Sequence, residues 1–88
     1  MTHYQSGRRL EWLARDELQA AGYTVIRAAG SHGPIDLVAF NAQRLRLVQV
    51  KAAGSVRQSD RAALAALARP PGASVELWER HDGGWRIT

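Results

Sequence analysis

Gly33-Pro34-Ile35-Asp36-Leu37-Val38-Ala39-Phe40 and Leu45-Arg46-Leu47-Val48-Gln49-Val50-Lys51, joined by Asn41-Ala42-Gln43-Arg44, decide how this chain is read. Both flanking runs are apolar and strand-like. The polar tetrapeptide between them reads as a turn. Each run also carries groups that a strand in a small domain does not tolerate without a reason. Asp36 stands in the first; Gln49 and Lys51 stand in the second. Burying such groups unpaired is costly. One chemical task accounts for all three: holding a hard cation and a phosphate.

The hairpin can be registered on paper. Strand side chains alternate faces, so Gln49 and Lys51 share one. If Ala42-Gln43 is a two-residue loop, Asn41 pairs with Arg44 and Asp36 falls opposite Gln49. Directly opposed residues share a face with Cβ atoms about 5 Å apart. A three-residue loop would change the parity and separate the pair. The loop lacks the Asn-Gly or Asp-Gly signal of the tightest hairpins.

Outward from the hairpin, the chain is short and basic. Its 88 residues predict a single domain, 1–88. A chain of this size buries only about two-thirds of its unfolded surface, which favours a dimer. There is no cysteine, so no disulfide framework or thiolate metal site exists. No apolar run approaches the roughly 20 residues that span a bilayer. Met1 to Gln5 has no apolar h-region, so a soluble, cytoplasmic protein is expected. The net charge is +4, and eleven of the twelve basic residues are arginine. Arginine suits phosphate through its planar fork of donors. A GC-rich genome would favour the same residue together with alanine, and Arg61 to Ala68 is alanine-rich.

The rest of the chain supplies helices and further strands. Leu10, Leu13, Ala14, Leu18 and Ala21 recur at helical spacing and predict a helix over 7–21. Ser6 is its candidate N-cap and Gly22 its candidate C′ residue. Residues 23–28 read as a strand. Ser55 to Ser59 can cap a second helix over about 59–69, with Leu64 and Leu67 inward, closed by Pro70-Pro71-Gly72. Residues 74–79 and 85–88 read as strands around a turn at 81–84. The order is αβββαββ, an α/β arrangement with helices around a mixed β-sheet.

Asp36, Gln49 and Lys51 form the strongest chemical constellation. A carboxylate and an amide carbonyl are oxygen ligands of the kind Mg²⁺ prefers. The Val50 carbonyl between them can supply a third. Lys51 can stabilise charge developing on a phosphate. The plainer alternative is a strand-end salt bridge between Asp36 and Lys51, with Gln49 a bystander. Glu11, next to the helix's apolar stripe, can lean toward the metal, or can pair with Arg8 or Arg15 along the helix. Arg8 and Arg9 oppose the dipole in the expected first turn, which phosphate contact would explain. Arg27 can meet a phosphate as well. The loop from Ala29 to Gly33 offers N–H groups, the Ser31 hydroxyl and the His32 imidazole, but not the spacing of a P-loop. Trp12, Trp78 and Trp85 are expected in the core or an interface.

Taken together, these stretches resemble a known family. Glu11, then Gly22 to Ser31, then Pro34 to Ala39, then Leu47 to Lys51, and finally Gly84 to Ile87, are similar to the archaeal-type Holliday junction resolvases of the PD-(D/E)xK nuclease superfamily. The resemblance implies a restriction-endonuclease-like fold. It also implies a Mg²⁺-dependent endonuclease, with Mn²⁺ as a substitute, that binds four-way DNA junctions as a homodimer. By position, Asp36 and Gln49 would hold metal with Glu11 assisting. Lys51 would be the active-site lysine, Arg27 the phosphate-facing arginine and Ser31 the active-site serine. Arg8 and Arg9 lie where the family is basic, without a one-to-one match, and with Arg27 and the loop residue His32 they are the candidate DNA-binding residues. The family's pattern has glutamate where this chain has Gln49, which removes one negative charge and one strong ligand atom. Two alternatives remain: a nuclease of this fold with another DNA substrate, and an inactive DNA-binding module.

Overall fold

The hairpin forms with the two-residue loop. A computed structural model describes residues 3–28 and 33–88, with side chains from Arg8 onward. β2 (Leu37–Phe40) and β3 (Leu45–Lys51) are antiparallel, pairing Phe40 with Leu45 and Leu37 with Val48. Neither Ala42 nor Gln43 has a positive φ, so this is not one of the primed turns. Asn41 supplies the missing turn chemistry. Its Oδ1 accepts the N–H groups of Gln43 (2.9 Å) and Arg44 (2.8 Å), and its own N–H donates to the Arg44 carbonyl at 3.0 Å. An asparagine side chain that stands in for a backbone acceptor is an Asx turn.

The full order is α1 (His3–Ala20), β1 (Thr24–Arg27), β2, β3, α2 (Gln58–Ala66), β4 (Ala73–His81) and β5 (Gly84–Ile87). The αβββαββ expectation is borne out. The five strands lie side by side in chain order. All pairs are antiparallel except β3 and β4, which run parallel and are joined through α2. A parallel pair needs such a crossover.

α1 begins earlier than its spacing suggested. Ser6 lies inside the helix and is not its cap, because nothing between His3 and Ser6 prevents the helix from continuing toward the N-terminus. Its end follows the expectation closely. Gly22 sits at φ +94° and donates to the Gln19 carbonyl, while Tyr23 donates to the Leu18 carbonyl. These two bonds form a Schellman motif, which requires a left-handed residue at that point. α2 is shorter than expected and ends at Ala66, with Leu67 extended and only half-buried. Pro70 and Pro71 cannot continue a helix and bias the preceding residue to extended backbone. Its cap is Arg57, not Ser55 or Ser59. The Arg57 N–H donates to Asp60 Oδ2 at 2.8 Å.

α1 packs on the face formed by β1, β2 and β3. Ala14 and Leu18 meet Leu37, Ala39, Val48, Val50 and Trp78 there, and all are buried. α2 packs on the opposite face of β4, where Leu64 lies beside Val75 and Leu77. Trp78 is in the core and Trp85 is half-buried against it, but Trp12 is 49% exposed and belongs to no core. Trp12 lies on the outer side of α1, off the Leu10–Ala14–Leu18 stripe.

One ion pair crosses the parallel strands. Arg46 Nε and Nη2 donate to the two oxygens of Glu76, each at 2.8 Å. Glu76 also accepts from Ser74 Oγ (2.6 Å) and Trp78 Nε1 (2.9 Å). The guanidinium lies 5.1 Å from the Tyr23 ring centroid and 5.6 Å from that of Trp78. Burial opposes ionisation of Glu76, but the bonds from Arg46, Ser74 and Trp78 outweigh it and hold the carboxyl below its ordinary value. Such a group supports folding above its unfolded pKa and loses that support as pH falls through its folded value. Glu76→Ala, which strands a buried guanidinium, should therefore cost about 3–5 kcal/mol in urea denaturation. Glu76→Gln should cost less at neutral pH, and its deficit against the parent should shrink as the solution is acidified. A deficit independent of pH would remove the ionised pair as the cause.

Candidate active site

The ladder between β2 and β3 stops one step short of Asp36. Leu37 pairs with Val48, and the Asp36 N–H donates to the carbonyl of that same Val48 at 2.8 Å. Two residues facing one make a β-bulge. Asp36 therefore has no ladder partner in Gln49, and the direct opposition expected from the register is not formed. Had the strand continued, the next hydrogen-bonded pair would have been Ile35 with Val50. Asp36 Oδ2 takes that place and accepts the Val50 N–H at 2.8 Å. On the other side, the Asp36 carbonyl accepts the Ala28 N–H at 2.8 Å. Its backbone is thus held by both neighbouring strands while its side chain crosses to β3.

Three further charges surround this carboxylate. Burial raises the Asp36 pKa most, the Val50 N–H lowers it, Glu11 raises it, and Lys51 and Arg27 lower it. The net direction is upward. Glu11 does not pair with Arg15, which bonds its neighbour Asp16 instead. It reaches from α1 to the end of β1, where Arg27 Nε donates to its Oε1 at 2.8 Å. Lys51 and Asp36 form no salt bridge. Lys51 Nζ lies 3.6 Å from Asp60 Oδ1 at the start of α2. Gln49 is 7% exposed, and its Oε1 is buried with no hydrogen-bond donor among the described residues.

The structure thus brings Asp36, Glu11, Arg27 and Lys51 into one electrostatic neighbourhood at the end of β3. Arg8 and Arg9 lie on the first half of α1, half-exposed and exposed. Ser31 and His32 fall outside the described residues. Two residues that sequence reasoning passed over complete the frame. Asp60 both caps α2 and faces Lys51. Glu79 is paired with Lys51 in the ladder and accepts from Gly54 N (3.1 Å) and lies 3.1 Å from His81 Nε2, which pins the turn after Lys51. An acid three residues into a helix was a readable signal for Asp60; Glu79 gave none.

An oxygen-ligated cation fits part of this donor set. Gln49 Oε1 is a buried acceptor without a donor, Asp36 is a carboxylate, and the Val50 carbonyl leaves β3 on the same side as the N–H that Asp36 binds. Mg²⁺ takes such ligands. Among the described residues no three His, Cys, Asp or Glu side chains converge, so the set is poor in charge.

No protein-family model matches the chain, and no curated protein matches it. Among solved structures, the chain is similar to Hjc, a Holliday junction resolvase from the archaeal hyperthermophile Archaeoglobus fulgidus. The TM-score is 0.74 and the identity 29%, over 93% of this chain and 70% of that one. The mixed sheet with its two helices is an Hjc-like nuclease fold, and the resemblance to the archaeal-type Holliday junction resolvases is borne out.

The raised pKa of Asp36 has a sign that can be tested. A carboxyl raised on folding adds stability while protonated and loses it as pH rises through its folded value. Asp36→Asn keeps an acceptor for the Val50 N–H but never ionises. Its stability relative to the parent should therefore improve from acid to neutral pH, read by urea denaturation at each pH. A relative stability that worsens over that range would mean that the ionised carboxylate is favoured in the fold.

Proposed function

We propose that this chain is a single-domain, metal-dependent endonuclease that resolves four-way DNA junctions as a homodimer. The observation that carries the reading is the Asp36 bulge. It ends a strand pair and holds one carboxylate on the Val50 N–H, within electrostatic reach of Lys51 and Glu11, in a fold that an Hjc resolvase shares. Asp36 and Gln49 would hold the divalent cation, with the Val50 carbonyl as a third oxygen and Glu11 assisting. When bound, the cation would polarise the phosphate and lower the pKa of an attacking water. Lys51, kept near the site by Asp60, stabilises charge developing on the phosphate. Arg27 orients Glu11. Arg8, Arg9 and Arg27 supply positive charge toward the backbone, together with Ser31 and His32 from the adjoining loop.

Two-fold symmetry matches the substrate class. A two-fold dimer presents two identical sites, and a four-way junction offers two equivalent phosphates. Ile26 and Phe40 support self-association. They are 54% and 39% exposed on the sheet face that α2 leaves bare, where a second copy would cover them. Junction choice would come from shape and backbone contacts rather than base edges.

The deciding measurement is cleavage of a labelled four-way junction in rising Mg²⁺ and Mn²⁺, beside linear duplex of the same sequence. Paired symmetric nicks in the junction alone are expected. Cuts in duplex as well would point to another DNA substrate. The second reading, an inactive junction-binding module, is favoured by the amide at Gln49 and by the engagement of Glu11 with Arg27. Tight junction binding without cuts in either metal would establish it. Gln49→Glu restores a charged ligand and should lower the Mg²⁺ concentration for half-maximal cleavage; a higher requirement would remove Gln49 from the metal site.

A further inference from the structure

Beside the candidate site runs a groove between α1 and the β4–β5 hairpin. Arg9, Leu10 and Leu13 form one wall, Ala52 and Ala53 the floor, and Arg80 and Asp82 the other wall. Ala52 and Ala53 directly follow Lys51, so the groove opens where the active-site strand ends. Among the described residues neither Arg9 nor Arg80 has an ion-pair partner.

Arg80 is nevertheless held in place. Asp82 (φ +39°) and Gly83 (φ +81°) form a two-residue turn with both residues left-handed, which sets Arg80 directly opposite Trp85. This is the type I′ geometry that an Asp-Gly pair favours. The Arg80 guanidinium lies 4.9 Å from the Trp85 ring centroid. Trp85 leans on buried Trp78 at 5.4 Å, and Trp78 is bonded to Glu76. Stacking on an aromatic face orders a guanidinium without neutralising it. A pre-ordered cation with no acid partner is a receptor for an anion.

We propose that this groove is a backbone-phosphate subsite for the DNA strand being cut, with Arg80 and Arg9 gripping a phosphate next to the scissile one. The proposal rests on the nuclease reading above. Position selects the ligand: only a chain of linked phosphates puts one anion at Lys51 and the next beyond Ala53. The small alanine side chains let that backbone approach, and Leu10 and Leu13 offer an apolar wall to the sugars. Asp82 is the opposing charge and limits the affinity.

The test is junction affinity by fluorescence anisotropy across a salt series, without divalent metal, for the parent, Arg80→Gln and Asp82→Asn. Each phosphate contact contributes roughly one to the slope of log K against log salt. Arg80→Gln should weaken binding about equally for junctions of different sequence and reduce the slope by about one. Arg80→Lys should keep most of the slope. Asp82→Asn should tighten binding, and asparagine tolerates the left-handed turn position. Circular dichroism checks that each variant folds. Parent protein that binds junction, with Arg80→Gln matching its affinity and slope, overturns the groove alone. Parent protein that binds no DNA overturns the nuclease reading and the groove with it.

Discussion

The Arg46–Glu76 pair holds the parallel strands to each other, and most of the molecule is referred to them. Parallel pairing is the longest-range step in this sheet, because a whole helix, α2, lies between β3 and β4, whereas no helix separates the strands of the other pairs. A slip of one residue would turn every side chain of β3 to the other face. Val48 and Val50 would leave the α1 core, and Gln49 and Lys51 would enter it. A bidentate pair with both oxygens engaged, between two rings, tolerates no such slip. Buried ion pairs add little net stability over apolar packing. Register is the better account of this one. The same residues extend the constraint outward, since Glu76 fixes Trp78, Trp78 supports Trp85, and Trp85 carries Arg80.

Function is built where regular structure is given up. At Asp36 the ladder is broken, and a side chain replaces the missing carbonyl. A carboxylate so held cannot rotate away without freeing the Val50 N–H, so its position is set before any ligand arrives. Glu11 and Lys51 are treated alike, each tied to a partner on another element. Gln49 is the exception. A buried acceptor left without a donor costs about 1–3 kcal/mol. Under the proposed function, the partner of this oxygen would be a cation from solution.

Much of this was legible in the residues. The element order, the two-residue loop and the Gly22 helix end follow from local rules of spacing and backbone conformation. Asp36, Gln49 and Lys51 stood out because strands do not carry such groups idly. What sequence could not supply was set by non-local competition. The bulge at Asp36 depends on Val50 offering an N–H from another strand, and the register alone would have put Asp36 across from Gln49. Glu11 had helical neighbours in Arg8 and Arg15, yet Arg27, distant in sequence, lies closer to its carboxylate than Arg15. Asp60 and Glu79 became part of the site only through the β3–α2–β4 crossover. Arg80 was missed for a local reason: the strand was expected to end at Glu79, whereas it runs on to His81 around the Asp82-Gly83 turn and puts Arg80 on Trp85.

The charge balance of the site bears on how it would work. Asp36, Glu11 and Asp60 carry three negative charges, and Arg27 and Lys51 carry two positive ones. Glu11 and Asp60 are each engaged with one of those cations; a glutamate in place of Gln49 would add a further negative charge that the amide lacks. Under the proposed function, a divalent cation would therefore gain little from net attraction here and would rely on geometry and on Asp36 being ionised. A phosphodiester changes that balance, because it brings the missing negative charge into the same neighbourhood. Under the proposed function, cation and DNA strand should each raise the other's affinity, and by the same factor, since such coupling is reciprocal. Under that reading, an amide at this position would make metal capture depend on the substrate and restrain the site until a strand is in place.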